Sequence, residues 1–461
     1  MRAHEAGALH GDIGNRGPAW LRTPVDVNDL VPQLWPRNVA RGAGGALQVA
    51  GLDVRDLAAE FGTPVYVLDE DDLRARARDF RDAFPDADVY YAGKAFLCRA
   101  VVRMIAEEGL FLDVCTGGEL ATALSAGMEP ARIGFHGNNK SVAELTRAVD
   151  AGVGRIIVDS FAEIDRLTAL ARERGVRPKV LVRVTVGVEA HTHEFIATAH
   201  EDQKFGFSLA GGAAAAAAFK ILDEGVLELR GLHSHIGSQI FDASGFEVSA
   251  RRVLALQAQI RDARGVELPE LDLGGGFGIA YTTQDDPAAP HELAKRLRKI
   301  VDGECAAENL AVPHLSIEPG RAIVGPAVFT LYEVGTVKDV DGIRTYVSVD
   351  GGMSDNIRTA LYDASYSATV ANRVSGAEPM LARVVGKHCE SGDIVVKDEF
   401  LPADVQPGDL VAVPGTGAYC RSMASNYNHV PRPPVVAVRD GRARLIVRRE
   451  TEDDLLALDV G

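Results

Sequence analysis

Between residues 89 and 318 the chain alternates short apolar runs with longer stretches whose apolar positions recur every three or four residues. The runs fall at 89–91, 111–114, 133–136, 155–159, 180–184, 229–233, 271–273 and 315–318. Their length and β-branched and aromatic content suit buried strands. The stretches between them, such as 100–108, 119–126, 142–151, 162–172 and 248–263, carry the period of amphipathic helices. Eight parallel strands, each followed by a helix over roughly 230 residues, is what a TIM-type (β/α)8 barrel needs, and such barrels typically take ~250. The alanine run 213–218 reads as one more barrel helix, since alanine is the best helix former.

From Ala327 the pattern changes to strand-like runs at 328–334, 345–349, 382–385, 410–413, 435–438 and 444–447, separated by turns such as Asp341-Gly342, Pro407-Gly408-Asp409 and Asp440-Gly441. This predicts a mainly antiparallel β-sandwich or β-barrel domain. Strand-like pieces at 47–50 and 64–68 flank a helical stretch at 54–61. The pieces before residue 60 would be unpaired edges unless they joined that β domain. The expected class is therefore α/β, with a flexible arm at 1–30, a segment at 31–60 joining the β domain, a barrel at 61–325 and a C-terminal β domain at 326–461.

Composition narrows the function classes. A length of 461 residues exceeds what one core usually serves, and 46% hydrophobic with 25% charged residues argues against extensive disorder. A formal charge of −16 disfavours non-specific binding to nucleic acid or to an anionic membrane, so an anionic ligand must be held by local donors. Residues 1–28 contain histidines, acidic residues and breakers but no apolar centre, so neither a signal peptide nor a membrane span is expected. Five widely spaced cysteines, without a CxxC pair, suit a reducing cytoplasm rather than a disulfide framework, and no metal site is expected. The His191-Thr192-His193 pair lacks a third ligand at sensible spacing and reads as a polar loop.

The strand ends carry the candidate chemistry. Placed on a barrel, they deliver Lys94, Asp113 with Cys115, His136 with Asn138, His233 with His235, the run Gly274-Gly275-Gly276, and Glu318 with Arg321 to the face where barrels put active sites. Lys94 is either a solvated loop lysine or an amine nucleophile that forms a Schiff base with a carbonyl cofactor. The glycine run does not fit GxGxxG, because Ile279 and Tyr281 occupy the third-glycine positions; it is a tight turn or a phosphate cradle. Glu318 is either half of a structural pair with Arg321 or the carboxylate that keeps a pyridine nitrogen protonated. His235 is a satisfied core histidine or a ring that stacks on a cofactor, with Ser238 donating to phosphate. Lysine, cradle and carboxylate on one face are the components that pyridoxal phosphate requires.

Assembled, these segments resemble the diaminopimelate decarboxylases, members of the alanine-racemase-like (fold type III) pyridoxal-phosphate enzymes. The resemblance rests on Tyr91-Ala92-Gly93-Lys94, Phe135-His136-Gly137-Asn138-Asn139-Lys140, His233-Ser234-His235-Ile236-Gly237-Ser238-Gln239, Gly274-Gly275-Gly276-Phe277-Gly278, Glu318-Pro319-Gly320-Arg321 and Cys389-Glu390-Ser391-Gly392-Asp393, in the family's order. It implies pyridoxal 5'-phosphate held by Lys94, His235 against its ring and Glu318 at its ring nitrogen. Ser238, Gly274, Gly275, Gly276, Gly320, Arg321 and Tyr419 complete the implied cofactor site. Arg321, Arg358, Tyr362, Glu390 and Tyr419 would hold an amino-acid substrate, Arg being suited to bidentate carboxylate recognition. Cys389 and Glu390 would come from the partner subunit, making a homodimer necessary.

The implied reaction is decarboxylation of meso-2,6-diaminopimelate at its D-centre to give L-lysine, the last step of lysine biosynthesis. Cys389 is a plausible acid, with a free-thiol pKa of ~8.5, although an inert structural cysteine is the alternative. A decarboxylase for ornithine or arginine is the nearest rival, but those substrates present a distal cation and give Arg358 nothing to bind. An amino-acid racemase would need acid/base groups on both faces of the substrate. A non-catalytic relative would be expected to lose Lys94, Glu318 or Cys389, and all three are present.

Overall fold

All eight apolar runs of the barrel region form strands: β1 (Ala87–Ala92), β2 (Phe111–Val114), β3 (Ile133–Phe135), β4 (Arg155–Val158), β5 (Lys179–Thr185), β6 (Glu228–Ser234), β7 (Glu270–Asp272) and β8 (His314–Ile317). The structure, a computed structural model, describes residues 17–187, 203–341 and 343–461. Each strand is parallel to its neighbours in sequence, and β8 pairs with β1 through Leu315↔Ala87, Ser316↔Asp88 and Ile317↔Val89, so the sheet closes into a barrel. Closure buries the strands on both faces, which is why they read as continuous apolar runs. Leu112, Phe135, Val158, Val180, Val182, Leu271 and Ile317 are fully buried, and each contributes about 1.5–3 kcal/mol of apolar burial.

Helices follow the first seven strands: Arg99–Glu107, Gly117–Ser125, Val142–Ala151, Phe161–Arg174, Ala213–Glu224, Ser244–Arg264 and Pro290–Ala307. Their starts are written locally. Thr116, Ser141 and Ser160 each accept a hydrogen bond from the backbone N–H three residues on, and Glu144 completes a capping box with Ser141. Glu144 also accepts from Gly117 N–H at 2.6 Å, tying one helix to the start of the one before it. The regular rhythm fails after β8, where only Arg321–Val324 is helical. Pro319 and Gly320 precede that turn and Gly325-Pro326 follows it, so a full eighth helix has no room to propagate. A helix at Glu70–Ala83 precedes β1 instead.

Two compact units result. The barrel unit comprises Arg74–Gly278 and Pro287–Ala322, and the second comprises the described residues up to Leu73, Ile279–Asp286 and Ile323–Gly461. The main sheet of the second unit runs Ile394–Pro402, Pro379–Val385, Arg344–Val349, Val328–Val340, Val65–Asp69, Val435–Arg439, Arg442–Val447, with Leu410–Pro414 also paired to Val328–Val340. Two pairings are parallel, Arg344–Val349 with Pro379–Val385 and Val65–Asp69 with Val435–Arg439; the others are antiparallel, so the sheet is mainly antiparallel as expected. Ile394–Pro402 is a strand that the hydropathy pattern hides, because Lys397-Asp398-Glu399 interrupts its apolar run.

The pieces before residue 60 pair among themselves. Val39–Arg41, Leu47–Val49 and Leu52–Asp53 make a small antiparallel sheet. Leu47 and Val49 enter the same core as Val65, Val67, Phe329, Leu331, Val436 and Val438, and Leu47 N–H donates to Ala371 O at 2.7 Å. Of the expected arm, residues 17–30 have no regular structure but are fastened where Asn28 Nδ2 donates to Ser375 O at 2.8 Å. The rest of the arm and the His191-Thr192-His193 loop lie outside the described residues. Among the described residues no helix is long and apolar enough to cross a membrane.

Candidate active site

At the C-terminal ends of the barrel strands a buried carboxylate meets two imidazoles. Glu318, just past β8, has Oε1 at 2.9 Å from His233 Nε2 on β6 and at 3.5 Å from His136 Nε2, just past β3. His136 Nε2 also meets Asp113 Oδ1 of β2 at 3.0 Å, and the two imidazoles pack edge to face at 5.1 Å. The His233 contact lies off the hydrogen-bonding direction, so Glu318 Oε1 and both His233 ring nitrogens are buried without a directed partner. Burial drives both rings down to about 4 and leaves them neutral near pH 7. For Glu318 burial works against the charge, and the positive charge of His136 and His233 in their protonated forms draws the carboxyl well below the ordinary range. Asp113 and Asp272 are pushed well above theirs by burial and by the Glu318 charge. Of these three carboxyls, Glu318 alone is shifted towards its charged form.

Lys94 follows β1 and is exposed at this end of the barrel. Its positive charge acts on Asp113, Cys115, Glu119 and His235. Cys115 is not a nucleophile beside it, because burial pushes its thiol up to about 12. His235 is half-buried, and its Nδ1 accepts the Gly275 N–H at 3.2 Å. Burial first, and the Lys94 charge after it, hold this ring well below the usual histidine range.

After β7 the chain turns through Gly274-Gly275-Gly276. Side chains are excluded here by close backbone neighbours: a Cβ on Gly274 would strike Ser234 O, and one on Gly275 would strike Glu318 O. Gly276, at φ +103°, would put a Cβ 2.5 Å from Gly237 O. Gly320 is equally confined, 2.8 Å from Ala92 O by the same measure. Nearby, Arg321 donates to Ser238 Oγ at 2.7 Å. The Glu318–Arg321 pair, entertained from their closeness in sequence, is not among the ion pairs of the described residues, where Glu318 faces histidines instead.

Several residues of this end escaped sequence reasoning. Arg183 on β5 is largely buried, 3.9 Å from Asp159 and stacked over Phe205 at 4.5 Å. A charged residue inside the apolar run Val182-Arg183-Val184 was the available signal. Lys140, from the Asn138-Asn139-Lys140 segment, is buried and donates at 2.7 Å to each of Gly137 O, Ile157 O and Glu163 Oε1. It pins the loop after β3 and has no donor left over.

In the second unit, Arg358 opens the helix Arg358–Tyr362 and is 3% exposed. Among the described residues no carboxylate lies within ion-pair range of it, and its Nε is buried without a partner. Tyr362, at the other end of that helix, is half-buried. Cys389 is exposed on a turn whose backbone is fastened on both sides. Its own N–H donates to Asn428 Oδ1 at 3.0 Å, while Asp393 accepts from His388 N–H at 2.8 Å and Met353 N–H at 2.6 Å. Glu390 turns its carboxylate back to Gly392 N–H at 3.3 Å. Tyr419 is half-buried in a left-handed backbone at φ +62°.

The donor set of the barrel unit fits a phosphorylated pyridine aldehyde. It offers an exposed amine, a glycine turn with a hydroxyl and a guanidinium beside it, and an ionised carboxylate whose Oε1 has no directed protein partner. Comparison with known proteins points the same way. A family model described as the pyridoxal-binding domain of pyridoxal-dependent decarboxylases matches residues 70–325. The chain is 60% identical over 443 residues to a diaminopimelate decarboxylase of Mycobacterium tuberculosis, covering 94% of this chain and 98% of that one. It is 47% identical over 420 residues to that of Bacillus subtilis, covering 90% and 95%. It is also similar to the crystal structure of diaminopimelate decarboxylase from M. jannaschii in complex with L-lysine, with a TM-score of 0.86 and 31% identity over 92% of this chain and 98% of that one.

Proposed function

The chain belongs to the diaminopimelate decarboxylases of the pyridoxal-dependent decarboxylase family, and we propose here how its residues divide the work. It is a carboxy-lyase that removes CO2 from the D-centre of meso-2,6-diaminopimelate and leaves L-lysine. The observation that carries the assignment of roles is the buried Glu318 at the end of β8, its Oε1 2.9 Å from His233 Nε2 and 3.5 Å from His136 Nε2.

Pyridoxal 5'-phosphate, when bound, supplies the sink for the electron pair that the departing carboxyl leaves behind. Lys94 would tether it, supported by the exposure of its amine at the end of β1. Glu318 would stand at the ring nitrogen, where a fixed negative charge keeps a proton, and His235 would lie against the ring. Ser238, Gly274, Gly275, Gly276, Gly320, Arg321 and Tyr419 would hold the remaining cofactor groups. The pairing of Ser238 with Arg321 at 2.7 Å supports an anion site there.

Arg358 would bind the carboxylate at the L-centre, which the reaction leaves in place. Its burial without a counter-ion among the described residues supports that role, because a guanidinium in such a setting gains most from a bidentate acid. Arg321, Tyr362, Glu390 and Tyr419 would complete substrate binding. Cys389 would hold the proton delivered to the D-centre carbon; its exposed thiol on a fastened turn supports service to a partner subunit in a homodimer. Free thiols at all five cysteines fit a reducing cytoplasm.

A substrate panel tests the assignment: CO2 release from meso-diaminopimelate, its LL isomer, ornithine, arginine and lysine. Release from meso-diaminopimelate alone is expected, and comparable turnover of ornithine or arginine would overturn the role of Arg358. Borohydride reduction should fix the cofactor on a peptide containing Lys94, and labelling elsewhere would remove Lys94 from its role.

A further inference from the structure

The Arg358 side chain sits in a corner made by two tyrosines. Its guanidinium carbon lies 4.6 Å from the Tyr281 ring centre and 5.6 Å from that of Tyr366, and the two rings meet edge to face at 5.1 Å, 74° apart. Contact with two rings confines a guanidinium but does not by itself set which way its N–H groups point. One directed contact removes that freedom: Arg358 Nη1 donates to Tyr366 Oη at 2.5 Å. Tyr366 is 1% exposed, and its hydroxyl also lies 3.6 Å from Cys420 Sγ, itself fully buried. A phenol that accepts from arginine has its own proton to place, and Cys420 Sγ lies within reach, a contact in which either atom could be the donor. With Arg358 Nη1 as the donor, the Tyr366 oxygen presents a lone pair to the guanidinium.

The backbone beneath Arg358 is equally fixed. Asp355 takes the Gly352 N–H at 2.7 Å and the Tyr332 hydroxyl, its carbonyl takes the Tyr66 hydroxyl at 2.5 Å, and Asn356 Oδ1 receives the Arg358 N–H at 3.3 Å. Held at one corner, the guanidinium keeps its buried Nε–H and the rest of its fork for a planar acid.

We propose that Tyr366 is a positioning residue for substrate selection: its hydroxyl, set between Arg358 and Cys420, orients the guanidinium so that the enzyme prefers an amino acid bearing a second, distal carboxylate. This rests on the assignment of Arg358 to the L-centre carboxylate. That carboxylate persists in L-lysine and is missing from cadaverine, so the two compounds separate the orienting role from general packing.

The test compares Tyr366→Phe holoenzyme with wild type, keeping the ring and removing only the hydroxyl. The KM for meso-diaminopimelate and the inhibition constant of L-lysine should each rise about tenfold, the scale of one hydrogen bond to a charged group. The turnover number and the inhibition constant of cadaverine should stay within about twofold. Unchanged KM, or an equal rise for lysine and cadaverine, would overturn the proposal. If Tyr366→Phe does not fold, Cys420→Ala should raise KM and Cys420→Ser, which keeps an acceptor, should restore it; failure of either would overturn the proposal. Arg358→Lys separates the two levels: if it leaves KM and the lysine constant unchanged, the assignment of Arg358 falls. A large effect of Arg358→Lys with none from Tyr366→Phe removes only the inference about Tyr366.

Discussion

His233 Nε2 stands 2.9 Å from Glu318 Oε1, both residues buried, and the imidazole is the neutral member of the pair. Keeping the ring neutral and the carboxylate ionised puts one negative charge at a fixed point among three strand ends. Arg183 on β5 feels that charge, but the ion-pair contacts of Glu318 among the described residues are to His136 and His233. In the proposed division of roles it is the charge that a protonated ring nitrogen would meet.

Glu318→Gln preserves the shape of the side chain and removes its charge. Turnover should fall by roughly 10²- to 10³-fold, the scale of losing one fixed electrostatic group in an active site, while the melting temperature changes little. Steady-state kinetics beside a thermal melt checks this, and a loss confined to KM would argue against the role at the ring nitrogen.

The buried imidazoles make the fold sensitive to acid. His233 titrates at about 4 in the folded chain against ~6.5 when unfolded, so the unfolded chain takes up the proton first as the pH falls. Stability from the neutral ring is complete above pH ~6.5 and is lost progressively towards pH 4, by up to about 3 kcal/mol. His136, also at about 4, acts in the same direction. Urea titrations at several pH values should show wild type and His233→Asn converging between pH 6.5 and 4; a gap of constant size would show that the ring does not titrate this way.

Mixing inactive Lys94→Ala and Cys389→Ala chains tests whether sites are shared. In a two-fold dimer half of the molecules in an equimolar mixture are mixed, and each has one intact site, so activity should recover to about a quarter of wild type. No recovery would place the thiol and the amine of one site on a single chain.

Lys140→Met should cost about 3–5 kcal/mol, because it leaves Glu163 buried without its cation. Adding Glu163→Gln removes the stranded charge and should restore more than half of that loss. Denaturant midpoints decide it, and additive losses in the double variant would show that the two residues are not coupled.

The sequence determined by itself what depends on local order. Period and length marked all eight barrel strands, caps such as Ser141 with Glu144 marked helix starts, and the strand ends named Lys94, Glu318 and the glycine turn. Family-like motifs supplied Arg358 and Cys389, but their spacing alone said nothing of what surrounds them. Only closure of the barrel brings β3, β6 and β8 together, so the meeting of His136, His233 and Glu318 cannot be read along the chain. The same limit hid Arg183, whose neighbours come from other strand ends, and the corner of Tyr281, Tyr366 and Cys420 around Arg358. It also hid why Asp393 follows Cys389, which is to fasten its turn. A strand or helix is fixed by near neighbours in sequence, whereas the charge on a carboxylate or the aim of a guanidinium is fixed by groups that only tertiary packing brings within a few ångströms.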